Sequence, residues 1–264
     1  MLKFSLLGVA VFFVAASTFT QTTATPTTSD PQAVALSMQA LTALTGSTQI
    51  TDVTLTGTGI RTAGSEVESG TVSLKAIGSS QARFDLSAVG GTRSEIRNLY
   101  TNNAPQGLWI SLDGTVHSMA SHNCVTDAAW FFPAFSVISQ LSNQNLVATY
   151  VGQESKNGVA VQHLHFVVQD KNDPGGLVER LSAEDVYLDA SSYLPVAIAF
   201  NVHPDDNGIA NIPVEIDFSS YQAVNGVRVP YHIQRRLNGT LLFDLTIQSV
   251  ILNSGLTSAA FSAN

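Results

Sequence analysis

Apolar and polar residues alternate along most of this chain, in short runs separated by Gly, Ser and Asn. In the first half the alternating runs lie at residues 53–55, 72–76, 84–88, 96–100 and 108–112. A period of two places the apolar side chains on one face of a β-strand. These runs therefore predict consecutive antiparallel strands at hairpin spacing.

The second half continues the alternation and adds strong turn signals. Asn-Gly dipeptides occur at residues 157–158, 225–226 and 238–239, each between two apolar runs. Asn-Gly favours the two-residue turn in which both residues have positive φ, and that turn closes a tight hairpin. The predicted strands are residues 146–153, 159–169, 183–188, 194–202, 214–223, 227–236 and 241–252.

Two segments depart from this period and predict helices. Asp30 is suited to an N-cap and Pro31 to the first helical position, and apolar residues then recur every three or four positions as far as Leu44, before Gly46. In the second segment, residues 126–142, apolar residues recur at helical spacing. Because proline lacks an N–H, we expect the second helix either to begin or to be kinked at its only proline.

A sheet with this many strands and one apolar face must curl upon that face or cover it. The two helices are available to cover it. The sequence thus predicts a mainly β fold of the α+β class, in which a strongly curved antiparallel sheet forms an incomplete β-barrel with helices across its concave face. We expect residues 25–264 to form a single domain.

The N-terminus has the pattern of a secretory signal peptide. Lys3 precedes an uncharged, mostly apolar run over residues 4–16, and a polar Thr-rich stretch follows. The run is shorter than the roughly 20 residues that span a membrane. We therefore predict a signal peptide at residues 1–24, cleaved after Ala16 or Ala24, and export to the periplasm or the medium without a stable membrane anchor.

Composition narrows the function classes. The net charge is −8, which disfavours a nucleic-acid partner because phosphates would be repelled. Charged residues make up 12% of the chain, against about 25% in ordinary domains. Cys124 is the single cysteine, so no internal disulfide can form and packing must hold the fold. No motif for a cofactor or a metal is present, and the sequence points to no particular protein partner.

Catalytic signatures are weak. Neither G-x-S-x-G nor H-E-x-x-H occurs. His163 and His165 are two apart on a predicted strand and so share a face, but no third ligand is placed beside them. Cys124 lies near His117 and His122 in sequence without further features of a nucleophile–base pair. We predict that the chain is not an enzyme, and a His- or Cys-dependent enzyme remains the less favoured alternative.

The densest aromatic group, Trp-Phe-Phe-Pro-Ala-Phe, lies at residues 130–135 in the second helical segment. One hypothesis is a hydrophobic plug that fills the sheet's concavity, as in a solidly packed interaction module. The favoured hypothesis is that the segment lines a hydrophobic cavity for a lipid, an acyl chain or another apolar ligand. The candidate ligand-binding residues are Trp109, Trp130, Phe131, Phe135, Ile138 and Leu141.

The closing part of the chain carries a series of short motifs. Tyr-Leu-Asp at 187–189 is followed by Tyr-Leu-Pro at 193–195 and by Val-Asn-Gly-Val-Arg-Val-Pro at 224–230. The series also includes residues 216–221, residues 245–252, Asn253 and Phe261. Together these motifs resemble the closing strands of the LolA/LolB-like lipoprotein-carrier superfamily, and the chain resembles a divergent bacterial member.

This resemblance implies an incomplete antiparallel barrel with helices as a lid, and the carriage or sensing of acyl chains in the periplasm. It also implies that an arginine on an early strand holds the lid shut. Arg61, Arg83, Arg93 and Arg97 are the candidates for that arginine. The aromatic segment at residues 130–135 departs from the standard carrier.

Export is testable on the protein as its host produces it. Because the N-terminal pattern has the lengths of a signal peptide, we expect the mature protein to begin directly after Ala16 or Ala24. Intact-mass measurement and N-terminal sequencing of the soluble protein check this. An intact Met1 on the soluble protein would contradict it.

Overall fold

The structure, a computed structural model, describes residues 28–101 and 104–263, and for residues 99–101, 104 and 105 it describes the backbone only. The predicted signal peptide lies outside the described residues. Within the described part of the chain, no helix is both long enough and apolar enough to cross a membrane.

One long helix, α1 (Pro31–Thr45), precedes the strands, and a short helix, α2 (Leu177–Leu181), lies between the eighth and ninth strands. The strands are β1 Asp52–Ala63, β2 Glu66–Ile77, β3 Gln81–Ala88, β4 Gly91–Thr101, β5 Ala104–Ile110, β6 Val116–Ser118, β7 Leu146–Lys156, β8 Val159–Val168, β9 Glu184–Asp189, β10 Pro195–Val202, β11 Ile212–Val224, β12 Val227–Leu237 and β13 Thr240–Leu252.

All of these strands belong to one antiparallel sheet, in the order β6-β5-β4-β3-β2-β1-β13-β12-β11-β10-β9-β8-β7. The order joins two meanders, β1 to β6 and β7 to β13, through the pairing of β1 with β13. The chain therefore leaves the sheet at one edge, β6, and re-enters it at the other edge, β7. The predicted antiparallel, mainly β fold is confirmed.

The predicted Asn-Gly turns are present in the structure. Asn157, Asn225 and Asn238 have φ values of 53°, 50° and 49°, and the glycine after each also has a positive φ. Two positive φ values in succession match the right-handed twist of the strands on either side. These turns fix the register of β7–β8, β11–β12 and β12–β13.

The first helix also forms as predicted. The Asp30 carboxylate accepts a hydrogen bond from the Gln32 N–H at 2.8 Å, and Gly46 ends the helix with a φ of 58°. Its buried face packs on β7 and β12, and the Asp30 N–H donates to the Ala148 carbonyl of β7 at 2.7 Å. The helix therefore covers part of the sheet's apolar face.

The prediction of a second helix at residues 126–142 is wrong. The segment instead forms two 3-10 turns, Pro133–Phe135 and Val137–Gln140, separated by Ser136 in an extended conformation. Pro133 cannot donate a helical hydrogen bond. The Asp127 carboxylate accepts the Val137 N–H at 2.9 Å, so a side chain takes a donor that a continuous helix would have used.

Two glycines of β1 stand where neighbouring strands approach closely. The register of β1 against β13 shifts between Thr56 and Gly57, as at a β-bulge. A Cβ on Gly57 would overlap the carbonyl oxygen of Thr246, whereas a Cβ on Gly59 would meet the side chains of Val72 and Leu245 at 2.7 and 2.8 Å. Only glycine lets β1 and β13 approach this closely.

This difference gives a stability prediction. Because backbone atoms cannot move aside, we expect Gly57→Ala to lower the free energy of unfolding by about 3 kcal/mol, and Gly59→Ala by about 1 kcal/mol because its neighbours are side-chain ends. Urea unfolding followed by circular dichroism measures both. Equal losses, or a larger loss for Gly59→Ala, would refute the conclusion that the β1–β13 backbone approach requires glycine at position 57.

Candidate functional site

Residues 126–141, which we call the plug, cover the inner face of the curled sheet. Trp130, Phe131 and Ile138 are at most 2% exposed. The Trp130 ring lies 5.8 Å from Phe84 of β3, and Phe84 lies 5.0 Å from Phe243 of β13. β3 and β13, which are not neighbours in the sheet, thus meet through side chains beneath the plug. This inner face is the concave face of the sheet.

A single ion pair shows how far the sheet curls. Arg235 of β12 donates from Nη1 to Oε2 of Glu95 of β4 at 2.8 Å, although β3, β2, β1 and β13 lie between these strands. In a flat sheet five strand spacings would measure about 24 Å. The direct contact therefore requires the sheet to fold upon itself, and we call this pair the cross-sheet ion pair.

Several cationic and polar groups surround Glu95. Burial alone would raise the pKa of its carboxyl, but the charges of Arg235 and Arg97, with hydrogen bonds from Arg235 and Trp130, hold that pKa below its ordinary value. The Arg235 guanidinium also lies over the Trp130 ring, 4.9 Å from the ring centroid. Trp130 thus caps the cross-sheet ion pair from the plug side.

Arg97 connects β4 to the plug. It is 4% exposed and donates from Nη2 to the Thr126 carbonyl at 2.9 Å. Among the four arginines that the resemblance offered, it is the one with this contact. Arg61 and Arg93 instead form ion pairs with Glu68, and Arg83 forms one with Asp85.

A second polar contact joins the plug to β9. Asp127 of the plug and Glu184 of β9 are both buried and hydrogen-bonded to each other. Burial raises the pKa of Asp127 to about 6, and burial together with the Asp127 charge raises the pKa of Glu184 well above its ordinary value. Two carboxyls in contact share a proton, so this pair is a proton-dependent latch between plug and sheet.

The structure brings together most of the predicted ligand-binding residues. Trp130, Phe131, Phe135 and Ile138 belong to one buried cluster with the sheet, and Leu141 packs against it. Trp109 is separate from this cluster. It lies on β5, is 38% exposed and stacks on His117 at 3.8 Å between ring centroids.

Open space lies elsewhere on the molecule. Five surface grooves of about 470 to about 670 Å³ run along the described chain, and none of these five is lined by a plug residue. One groove, of about 490 Å³, lies among Lys156, Asp217 and Tyr221. In this structure the plug occupies the concave face.

The histidines and the cysteine have structural partners. His163 Nε2 and His165 Nδ1 each lie 2.9 Å from the same Asp185 oxygen. Cys124 is a buried free thiol whose Sγ donates to the Ala120 carbonyl at 3.6 Å. Burial raises the pKa of that thiol, which disfavours a reactive thiolate. Among the described residues, no three His, Cys, Asp or Glu side chains are arranged to hold a metal ion.

Sequence reasoning missed Glu95, Arg235, Asp127 and Glu184. The strand pairing contains a signal for part of this set. On β4, Glu95 and Arg97 stand directly across from Phe84 and Ala82 of β3, which are buried positions of an alternating run. Charged residues at register positions opposite apolar ones indicate a buried polar cluster. Which charges meet depends on the curl of the sheet, and no local pattern reports that.

The latch predicts a pH dependence of stability. The folded pKa values of Asp127, about 6, and of Glu184 are both raised. The pair therefore stabilises the fold fully below the ordinary carboxyl pKa values of the unfolded chain, and it loses that contribution as pH rises through the raised folded values. Glu184→Gln keeps a donor but cannot titrate. We expect its loss of stability between about pH 5 and about pH 8 to be smaller than that of the unmodified protein by about 1 to 2 kcal/mol.

Chemical unfolding at several pH values measures this dependence. Glu179→Gln on α2 makes the same chemical change outside the latch and should leave the pH profile unchanged. An identical pH profile for Glu184→Gln and the unmodified protein would refute the latch.

Comparison with known proteins supports the assignment of the fold. No protein-family model matches the chain, and no curated protein matches it significantly. A solved domain from Vibrio parahaemolyticus, described as an outer membrane lipoprotein-sorting protein domain, is 15% identical with a TM-score of 0.57, over 87% of this chain and 96% of that one. A LolA superfamily protein from Nitrosomonas europaea is 10% identical with a TM-score of 0.50, over 87% and 97%. The chain therefore has the fold of LolA superfamily proteins.

Proposed function

We propose that this chain is an exported, non-catalytic carrier, a divergent LolA-like protein of the periplasm or the medium, that binds an acyl chain or another apolar ligand on its concave face. The observation that carries the proposal is the plug. An apolar sheet interior is covered by a segment that belongs to no strand, and an apolar ligand of similar shape can take its place.

The apolar interior that the plug and α1 cover suits such a ligand. Every strand from β1 to β3 and from β8 to β13 contributes buried apolar side chains to the same cluster as the plug. Burial of an alkyl chain against this surface gains about 0.8 kcal/mol per methylene group. The cluster includes Leu55, Val72, Leu74, Leu86, Leu164, Val186, Leu188, Ile198, Ile216 and Ile233.

Few hydrogen bonds tie the plug to the sheet. Its backbone hydrogen bonds are local, for example from Phe132 to Ala129 and from Phe135 to Phe132. These bonds survive when the plug leaves the sheet. The polar contacts described above that tie it to the sheet are those of Thr126, Asp127 and Trp130. Displacement therefore breaks few hydrogen bonds.

The second candidate function is an interaction module whose interior stays packed. The burial of Phe131 and Ile138, both 0% exposed, favours it. The two candidates differ in one physical respect, which is whether an apolar ligand can exchange with the plug.

Trp130 reports this exchange directly. The chain has two tryptophans, so Trp109→Phe leaves Trp130 as the single fluorophore. Because Trp130 is 2% exposed, acrylamide should quench it poorly in the free protein. We expect dodecanol or dodecanoate to bind at micromolar concentration and to raise the quenching of Trp130 about two-fold or more, as the ring leaves its site.

The matched control is Trp130→Phe, which leaves Trp109 as the fluorophore. Trp109 already lies partly in solvent, so its quenching should change little on ligand addition. If neither alkyl compound binds and the quenching of Trp130 stays constant, the packed interaction module replaces the carrier.

A further inference from the structure

We propose that Glu95, Arg97 and Arg235 form a binding site for the anionic headgroup of the carried ligand, so that the ligand is an amphiphile ending in a carboxylate or a phosphate. This inference rests on the proposed carrier function and names the chemical class of its ligand. We call the three residues the inner charge cluster.

The inner charge cluster is deeply buried on the face that the ligand would cover. Arg97 is 4% exposed, and the side chains of Arg235 and Glu95 are 12% and 16% exposed. Arg97 and Glu95 lie two residues apart on β4, and Arg235 reaches them from β12. A ligand on the concave face therefore meets two guanidinium groups at one place.

The hydrogen-bonding capacity of these guanidinium groups is only partly used. Nε of Arg97 and Nε of Arg235 are buried and have no hydrogen-bond partner among the described residues. An unpaired buried donor is costly, and the cost is greater for a charged group. Guanidinium groups donate in a fork that matches carboxylate and phosphate oxygens. The cluster also holds one buried acceptor without a partner, Oε1 of Glu95, so its free donors outnumber its free acceptor and suit an oxyanion.

The plug now supplies part of what an anion would supply. Thr126 offers its carbonyl to Arg97, Asp127 lies close enough to act on Arg97 electrostatically, and the Trp130 ring faces Arg235. All three contacts leave with the plug. Two arginines then remain with Glu95 as their single carboxylate partner in the cluster, an excess of one positive charge. A ligand anion restores both the charge balance and the lost acceptors.

A comparison of chain-matched ligands tests the proposal on the unmodified protein. Dodecanoate, dodecyl phosphate and dodecanol compete for the protein against the neutral apolar dye N-phenylnaphthylamine at pH about 7.5, where the carboxylate is ionised. Because a hydrogen bond to a charged group is stronger than one to a neutral group, we expect at least one anionic compound to bind about 10-fold to about 100-fold more tightly than dodecanol.

Single substitutions test which residues cause the preference for an anionic ligand. Arg97→Gln should reduce this preference to below about 3-fold, and Arg97→Lys should retain part of it because the charge remains. The matched control is Arg83→Gln. Arg83 lies on the neighbouring strand and forms a carboxylate pair with Asp85, but its cross-strand partner on β4 is Ile96 rather than Glu95. It therefore lies on the opposite face, and its loss should leave the preference unchanged.

The outcomes separate this inference from the function on which it rests. If dodecanol and both anions bind equally well, the headgroup site is overturned while the carrier stands. If none of the three binds, the carrier itself is overturned. If Arg97→Gln folds and keeps the full preference, the assignment to the inner charge cluster is wrong. If Arg97→Gln does not fold, the ligand comparison on the unmodified protein still decides.

Discussion

The cross-sheet ion pair between Arg235 and Glu95 is the contact on which the rest of the architecture depends. It joins β12 to β4 across the concave face, so it ties together two strands that only the curl of the sheet brings into contact. The curl creates the concavity, and the concavity needs a cover, which α1 and the plug provide. Removing one partner would leave an uncompensated buried charge, which is costlier than never having had the pair. The cross-sheet ion pair and the segments that cover the concave face therefore stabilise each other.

The same polar groups make the interior specific. A uniformly apolar concavity would accept the aromatic plug in many orientations. The hydrogen bonds of Thr126, Asp127 and Trp130 are satisfied together in one arrangement only. Their partners lie on two strands that are far apart in the sheet order, with Arg97 and Glu95 on β4 and Glu184 on β9. Polar contacts at the margin thus orient a segment whose affinity for the sheet is mostly hydrophobic.

Much of the fold follows from local sequence pattern. Alternation located the strands, Asn225-Gly226 and its counterparts located the turns, and Asp30 with Gly46 bounded α1, because each of these features acts over a few residues. The helix expected in the plug did not form because Pro133 lacks a donor and because Asp127 binds a backbone donor ten residues along the chain, which helical periodicity does not report. The contact of Glu95 with Arg235 spans 140 residues and depends on sheet curvature. Neither sequence spacing nor periodicity encodes such a contact.

The path of the chain between the two edges of the sheet has a consequence for ligand exchange in the proposed carrier. The plug is part of the connection from β6 to β7, so it is anchored at both ends and cannot diffuse away when a ligand displaces it. It remains an intramolecular competitor at high effective concentration. The apparent affinity for a ligand is then set by the difference between the binding free energies of the ligand and of the plug. The plug replaces a departing ligand at once. In the proposed carrier the concave face is therefore never left bare to water, and a segment of the protein's own chain governs the rate of ligand release.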